Sequence, residues 1–495
     1  MGEWGGYWKS EIVFLVFLVL GSSALLLTHL TQSYLWNDEG STALLARTIL
    51  QHGVPMGYDG ENSTSAEEGR DITQNGIYKF QPWLQFYVVA ASFAVLGEST
   101  FAARLPFALF GIATIALTYF FAWEIWKRRG IAAAASLTLM LSAPFLLLAG
   151  QSRYYTASAF FTTLALWSYL RIMDRRREAP IVFALAILAL LHSNHGHGIA
   201  LMAAAAVDAA LWHRDRAKIV WGLVGVVVLL NLPWLVWMSG SSYTTFGFGK
   251  SLIAMAAFVF QLLVYAPHPM IPVAAVVLFA TRRWRRADTP EMPPAGRRLS
   301  LLFTFAAFVI PLMSVFVDRP YFRYLVPLLP VGSVLAGHLV IASWRLSKIW
   351  TGFFVGAWLL TGLMPLYLYE LPQDYKGPVR GIVTYLNEHA HPGDVVAISY
   401  EDLPVKFYTK LRVIGGYTGE DLAPAKQARW IIPRKYGNSP VRDYLLKEVP
   451  LEHYRKIVLD GYPDITFENR ESPYDHQFMT VTGEEPVAIY ERVEP

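Results

Sequence analysis

The chain has 495 residues, of which 54% are hydrophobic and 14% aromatic, and only 16% are charged, against the ~25% usual in soluble domains. Its formal net charge is +4, and the basic residues stand in short groups between apolar runs, a topology pattern that implies no nucleic-acid partner. With no cysteine, thiol nucleophiles, thiolate metal sites and disulfides are excluded, and the composition is that of a polytopic α-helical membrane protein.

The first apolar run, Glu11 to Leu30, is long enough to cross a bilayer. It lacks a small-residue cleavage site before Thr28-His29-Leu30 and reads as a retained span. Just beyond it stands Tyr34-Leu35-Trp36-Asn37-Asp38-Glu39-Gly40. Two adjacent carboxylates at the water-facing rim can hold a metal, take a proton or grip a cation. Acids in a first helical turn also serve as caps and complement the macrodipole. Ser41 to Leu50 has helical periodicity and Gly53-Val54-Pro55 stops it, which predicts a short helix along the membrane surface with Asp38 and Glu39 at its start.

A polar stretch from Tyr58 to Gly76 follows, then Tyr78-Lys79-Phe80-Gln81-Pro82-Trp83. Trp83 to Leu96 is too short to span comfortably and suits an interfacial helix. Basic groups at Lys127 to Arg129, Arg171 to Arg177, Arg214 to Lys218, Arg282 to Arg286 with Arg297-Arg298, and Arg345 to Lys348 mark the cytoplasmic side. Leu105 to Trp126 is then the crossing that links the first external loop to the inside. Further spans are expected at 131–149, 155–172, 180–193, 197–212, 219–238, 270–281, 299–317, 324–343 and 349–369, about eleven in all, with thirteen as the alternative.

The same parity places Gln151 to Tyr155, His192 to His197, Ser239 to Lys250 and Asp318 to Tyr324 outside, with the acidic pair. From Glu370 charge rises and short β-like runs appear at 394–399, 412–414, 429–432, 456–459 and 487–490, preceded by a helix with Val379, Ile382, Val383 and Leu386 on one face. The expected organisation is a transmembrane domain over 1–369, with interfacial helices in its external loop 31–104, and a soluble external α/β domain over 370–495.

Lys79, Arg104, Arg153-Tyr154 and Arg323-Tyr324 all lie at outer span ends, where converging cations would form a phosphate site. Snorkelling toward headgroups is the plainer account of some of them. His192, His195 and His197 are candidate metal ligands together with Asp38, although such a cluster is more often a polar turn or a lipid-phosphate contact. A cationic rim beside a carboxylate suits attack by an acceptor on an anomeric carbon whose leaving group is a lipid-linked phosphate.

The order of motifs is similar to the GT-C glycosyltransferases of the protein O-mannosyltransferase and lipid A aminoarabinose transferase type. The likeness rests on the Asp38-Glu39 pair, Phe80-Gln81-Pro82-Trp83 before an interfacial helix, Gly97-Glu98-Ser99 leading to Arg104-Leu105-Pro106, Ser152-Arg153-Tyr154-Tyr155, and Arg323-Tyr324-Leu325-Val326-Pro327. It covers about residues 11 to 345 in motif order. The resemblance implies inverting transfer of a monosaccharide from a polyprenyl-phosphate donor at the external face of a bacterial inner membrane, with Asp38 in the acid-base position and Glu39 beside it. Donor-phosphate contacts would come from the Pro82 segment, with Lys79 and Gln81, and from Arg153 and Arg323 with their tyrosines. The acceptor would be a lipid, a glycan or a protein, and membrane lipids would surround the chain. Where aminoarabinose transferases carry Glu-Lys before the proline, this chain has Phe80-Gln81, and a metal-binding histidine of those enzymes has no counterpart in 239–250, which leaves the divalent metal open. A lipid-linked-sugar flippase and a non-catalytic membrane subunit are the rival readings.

Overall fold

The computed structural model describes residues 2–28, 30–239, 248–265, 295–317, 319–435, 440–465 and 476–493. The first segment is α1 (Gly2–Leu27), followed by α2 (Asn37–His52), α3 (Leu84–Leu96) and α4 (Thr100–Trp126). Ser99 caps α4 by accepting the Ala102 N–H, and Gly53 ends α2 in the left-handed conformation at φ 77°, the usual helix-ending geometry. The interfacial reading of α3 agrees with its 13 residues, which are too few to span.

Next come α5 (Arg129–Met140) and α6 (Ala143–Ala149), then α7 (Tyr155–Met173), α8 (Ala179–Ser193), α9 (His195–Trp212), α10 (Arg214–Ser239) and α11 (Phe248–Tyr265). The single run expected at 131–149 is broken, with α5 and α6 meeting at 61°. Pro144 explains the break, because it disfavours the helical conformation of the residue before it and donates no N–H. The remaining helices of this part are α12 (Ala295–Phe316), α13 (Leu328–Leu346), α14 (Lys348–Thr361) and α15 (Met364–Glu370), the last two bent by 43° beside Gly362. The span expected to begin at 324 starts only at Leu328, because Phe322–Leu325 forms a 3-10 turn. The crossing expected at 270–281 lies outside the described residues.

Among the described residues, four helices are long and apolar enough to cross a membrane, and six if each bent pair is one span. Outward faces stay apolar on these helices and on the shorter α11: Leu229, Leu230, Ile349 and Phe353, with Ile253 and Phe260 of α11, are all exposed, as they must be where lipid replaces water. Inside, small residues bring backbones close. A Cβ on Gly337 of α13 would stand 2.5 Å from the Ala135 nitrogen of α5, so only glycine permits that crossing. The chain is an integral membrane protein.

The C-terminal part has α16 (Pro378–His389), β1 (Val395–Ile398), α17 (Asp402–Tyr408), β2 (Arg412–Gly415), β3 (Trp430–Ile432), α18 (Pro440–Lys447), β4 (Tyr454–Pro463) and β5 (Pro486–Arg492). Each expected strand is present. The sheet order is β2-β1-β3-β5-β4, with β1 parallel to β2 and β3 and with β5 antiparallel to β3 and β4. Val379, Ile382, Val383 and Leu386 of α16 pack on one face with Trp430 and Ile489, and Leu445 of α18 joins the other with Ala397 and Ile431.

This domain is docked on the segment between α1 and α4 and does not hang free. One apolar core joins Leu44, Leu45 and Ile49 of α2 to Phe86 and Phe93 of α3, Phe107 of α4, and Leu403 and Phe407 of α17. The helix expected to lie bare on the membrane surface is therefore buried along most of its length, because a protein layer covers the side that would have faced water.

Candidate active site

The two carboxylates that the sequence presents as a pair have opposite surroundings. Glu39 is fully buried and Arg104 is 1% exposed. Arg104 donates from Nε to Glu39 Oε1 at 2.9 Å and from Nη2 to Oε2 at 2.6 Å. The Ser152 N–H donates to Oε1 at 2.6 Å and the Trp36 N–H to Oε2 at 3.3 Å. The rest of the guanidinium serves the backbone: Nη1 donates to the carbonyls of Leu30 and Ser33, and Nη2 to that of Tyr34. Such a bidentate pair, satisfied on every side, is a fixed strut. This corrects the expectation of a catalytic Glu39 and a phosphate-binding Arg104, since both groups spend their hydrogen-bonding capacity on each other and on the turn that carries Asp38.

Asp38 is the accessible member, with its side chain 31% exposed. Its Oδ2 lies 3.2 Å from Nη1 of Arg323 and 3.5 Å from Nη2 of Arg153. Arg153 also donates to the Asp38 carbonyl at 3.2 Å and to Thr42 Oγ1 at 3.3 Å, and Arg323 to the Tyr155 hydroxyl at 3.4 Å. Aromatic rings hold the Arg323 guanidinium in place, with centroids at 4.7 Å for Tyr321, 5.4 Å for Tyr324 and 6.0 Å for Trp36, a favourable cation–π setting. Burial opposes the charge of Arg323, yet the neighbouring Tyr155, Tyr324 and Asp38 outweigh it and raise its pKa. At Arg153 burial again works against the charge, and Asp38 leads the groups that reverse it. The Tyr154 phenol is pushed well up by burial, with Tyr324 adding to the effect, so it stays a neutral donor.

Asp38, Arg153, Tyr154, Arg323 and Tyr324, from three separate stretches of the chain, thus come together. Gln81 joins indirectly: Gln85 Nε2 donates to Gln81 Oε1 at 3.0 Å, and Gln85 Oε1 accepts the Tyr154 N–H at 3.2 Å. Lys79 is half-buried on the loop, with its N–H on the Asp71 carbonyl at 2.9 Å. Trp36, Thr42, Gln85 and Tyr155 were given no role in the site from the sequence. Each stands one to four residues from a residue that was given one, so only proximity to Asp38, Gln81 and Arg153 pointed to them.

The histidines do not converge. His197 Nε2 pairs with the Tyr324 carbonyl at 2.9 Å, His195 Nε2 accepts the Trp234 Nε1–H at 3.2 Å, and the His192 ring lies 5.3 Å from the Trp234 ring. Among the described residues no group of three or more His, Asp or Glu side chains is placed to hold a metal ion. The proposed set of Asp38 with His192, His195 and His197 does not fit a metal, because His192 and His195 both turn to Trp234 of α10 while His197 is taken up by the Tyr324 carbonyl.

Comparison with known proteins covers part of this geometry, the stretch that carries Gln81, Arg104, Arg153 and Tyr154. Residues 81–237 match the family described as dolichyl-phosphate-mannose-protein mannosyltransferase. An undecaprenyl phosphate-α-4-amino-4-deoxy-L-arabinose arabinosyl transferase of Pseudomonas fluorescens is 30% identical over 176 residues, which cover 32% of this chain and 30% of that relative. The similarity to solved structures extends over nearly the whole chain. ArnT from Cupriavidus metallidurans bound to undecaprenyl phosphate superimposes with a TM-score of 0.59 at 15% identity, covering 97% of this chain and 98% of the other. The oligosaccharyltransferase of Archaeoglobus fulgidus gives 0.53 at 12% identity, with 94% and 74% covered. The chain is thus similar in fold to ArnT and, over residues 81–237, to the dolichyl-phosphate-mannose-protein mannosyltransferase family.

Proposed function

We propose that the chain is an integral-membrane inverting glycosyltransferase that moves a monosaccharide from a polyprenyl-phosphate donor to an acceptor at the external face of a bacterial inner membrane. The observation that carries this reading is the accessible carboxylate of Asp38 held between two guanidinium groups, the part-buried Arg323 at 3.2 Å and the buried Arg153 at 3.5 Å. The Pseudomonas relative and the ArnT complex, by name, act on or bind undecaprenyl phosphate, which favours a lipid phosphate as the anion these cations receive. Tyr154 and Tyr324 line the same place, with Gln81 behind Tyr154.

The geometry also supplies an order of events. Without donor, Asp38 is the counter-ion of both arginines. An incoming phosphate competes for the same guanidinium donors and forms the stronger bidentate contact, which releases the carboxylate toward the acceptor. The acceptor oxygen or nitrogen attacks the anomeric carbon from the side opposite the phosphate. As the new bond forms, the carbon–oxygen bond to phosphate breaks and its electron pair stays on the departing polyprenyl phosphate. Asp38 takes the acceptor proton, and Arg153 and Arg323 stabilise the charge gathering on the leaving group.

The test is transfer from a panel of radiolabelled polyprenyl-phosphate sugars to membrane components, using purified wild type and Asp38→Asn, each with and without a chelator. One sugar moving in the wild type alone supports the reading. Labelled donor that crosses liposomes unaltered, with no sugar moved, would make the chain a transporter. Transfer that persists in Asp38→Asn would remove Asp38 from the chemistry.

A further inference from the structure

The segment that carries Asp38 is gripped from two sides, and only one grip comes from the membrane domain. On that side Arg104 fixes Glu39 and the carbonyls before it. On the other side stands α17, which belongs to the C-terminal domain. Its Tyr408 ring lies against Tyr34 with centroids 4.4 Å apart. The Tyr408 hydroxyl accepts the Leu35 N–H at 3.0 Å and shares a 2.6 Å hydrogen bond with the Thr100 hydroxyl at the start of α4.

Two residues beyond Asp38, Gly40 meets α17 backbone to backbone. A Cβ there would stand 2.7 Å from the Pro404 nitrogen and 2.9 Å from the Leu403 carbonyl carbon. No rotamer change relieves such a contact, because both atoms are main chain. Two turns further along α2, Arg47 donates to the Phe407 carbonyl at 3.0 Å and pairs with Glu98 at 2.7 Å. Lys406, buried with Asp402 at 2.7 Å, reaches back to the Ser63 carbonyl at 2.8 Å. These contacts exceed what tethering a domain needs, and they concentrate on the residues that flank Asp38.

We infer that α17 is a positioning element for the reaction, with Gly40 and Tyr408 as positioning residues that hold the Asp38 carboxylate in register with Arg153 and Arg323. The inference rests on the function proposed above. A catalytic carboxylate at the first turn of α2 moves with that turn, and a displacement of about 1 Å can cost on the order of a hundredfold in rate. Donor binding relies on Arg153 and Arg323, which α17 does not touch in any contact described here. The C-terminal domain therefore acts on the chemical step more than on donor capture.

The experiment uses the full chain in nanodiscs with Gly40→Ala, Tyr408→Phe and, as a control, Thr100→Ala, which removes the other partner of Tyr408 while leaving the Leu35 contact. Two readouts are taken: hydrogen exchange of the peptide spanning residues 34–42, and kcat with donor KM. Expected are faster exchange of the 34–42 amides in Gly40→Ala and Tyr408→Phe, and kcat lower by about tenfold or more and about threefold respectively. Donor KM should stay within about twofold, and Thr100→Ala should remain near wild type in kcat at a comparable loss of Tm. If both variants keep wild-type exchange and kcat, or if donor KM rises in step with any loss, the inference is overturned. A wild type that transfers no sugar at all would sink the proposed function, while the exchange data would still decide whether α17 clamps the segment.

Discussion

Neighbouring carboxylates in a sequence look alike, and only their surroundings separate a proton carrier from a strut. Glu39 meets four donors from three residues in a dry environment, and Asp38 meets two guanidinium groups at a partly open surface. The difference was not legible in Asp38-Glu39 itself, because it depends on Arg104, which lies in space beneath Glu39 but 65 positions away along the chain. Glu39→Gln should therefore cost about 3–5 kcal/mol of stability, as breaking a buried pair does, seen as lost yield of folded protein and a lower unfolding temperature. Asp38→Asn should leave a folded protein whose transfer rate falls by at least ~100-fold, the loss expected when a positioned base is removed. It should also bind polyprenyl phosphate about fivefold more tightly, since a competing ion pair of up to ~1 kcal/mol is gone. Weaker lipid-phosphate binding in Asp38→Asn, measured by titration, would contradict the displacement of Asp38 by the donor.

At the level of elements, the loop from Arg319 to Pro327 shows how a helix packs a site without touching substrate. Arg323 sits in the 3-10 turn Phe322–Leu325, and the imidazole of His197, from the start of α9, is bonded to the Tyr324 carbonyl one residue later. The sequence marked both His197 and Arg323 but gave them unrelated tasks, because nothing in a linear pattern tells which two external loops will meet. The structure links them: His197 fixes the turn and the turn aims Arg323. Arg323→Ala should raise donor KM strongly with little effect on acceptor KM, since it removes a charge-assisted phosphate contact worth about 1.5–3 kcal/mol. His197→Phe should raise donor KM in the same direction but less, because it loosens the turn without removing the charge. Steady-state kinetics with donor and acceptor varied in turn checks both. An acceptor KM that rises equally would reassign this loop to acceptor binding. The short strands and α16 were legible for the opposite reason, since their period-2 and helical patterns report local burial on a sheet that folds within one contiguous stretch.

For the whole molecule, sidedness is the property on which the proposed use of a lipid-linked donor depends. The basic groups that set the expected orientation are structurally engaged at one end of the bundle: Arg298 pairs with Asp174 at 2.9 Å and reaches the Glu124 carbonyl, and Lys127 pairs with Glu124. The acidic segment, Arg153, Arg323 and the docked sheet domain are gathered in the loops that parity assigns to the other end. Cytoplasmic retention of Lys and Arg near span ends predicts that the site lies outside. The absence of native cysteine makes this directly measurable, because any thiol introduced is the only one to react. Asn75→Cys in the first external loop and Glu388→Cys in α16 replace exposed residues, as does Arg177→Cys in the loop between α7 and α8. With intact cells, a membrane-impermeant maleimide should label the first two positions fully and the third only after permeabilisation. Labelling of position 177 in intact cells, with 75 and 388 protected, would invert the molecule and place Asp38 on the cytoplasmic side. Equal labelling of 75 and 177 would instead show that an even number of crossings lies between them, and the helices from α3 to α7 would have to be reassigned between spanning and interfacial positions.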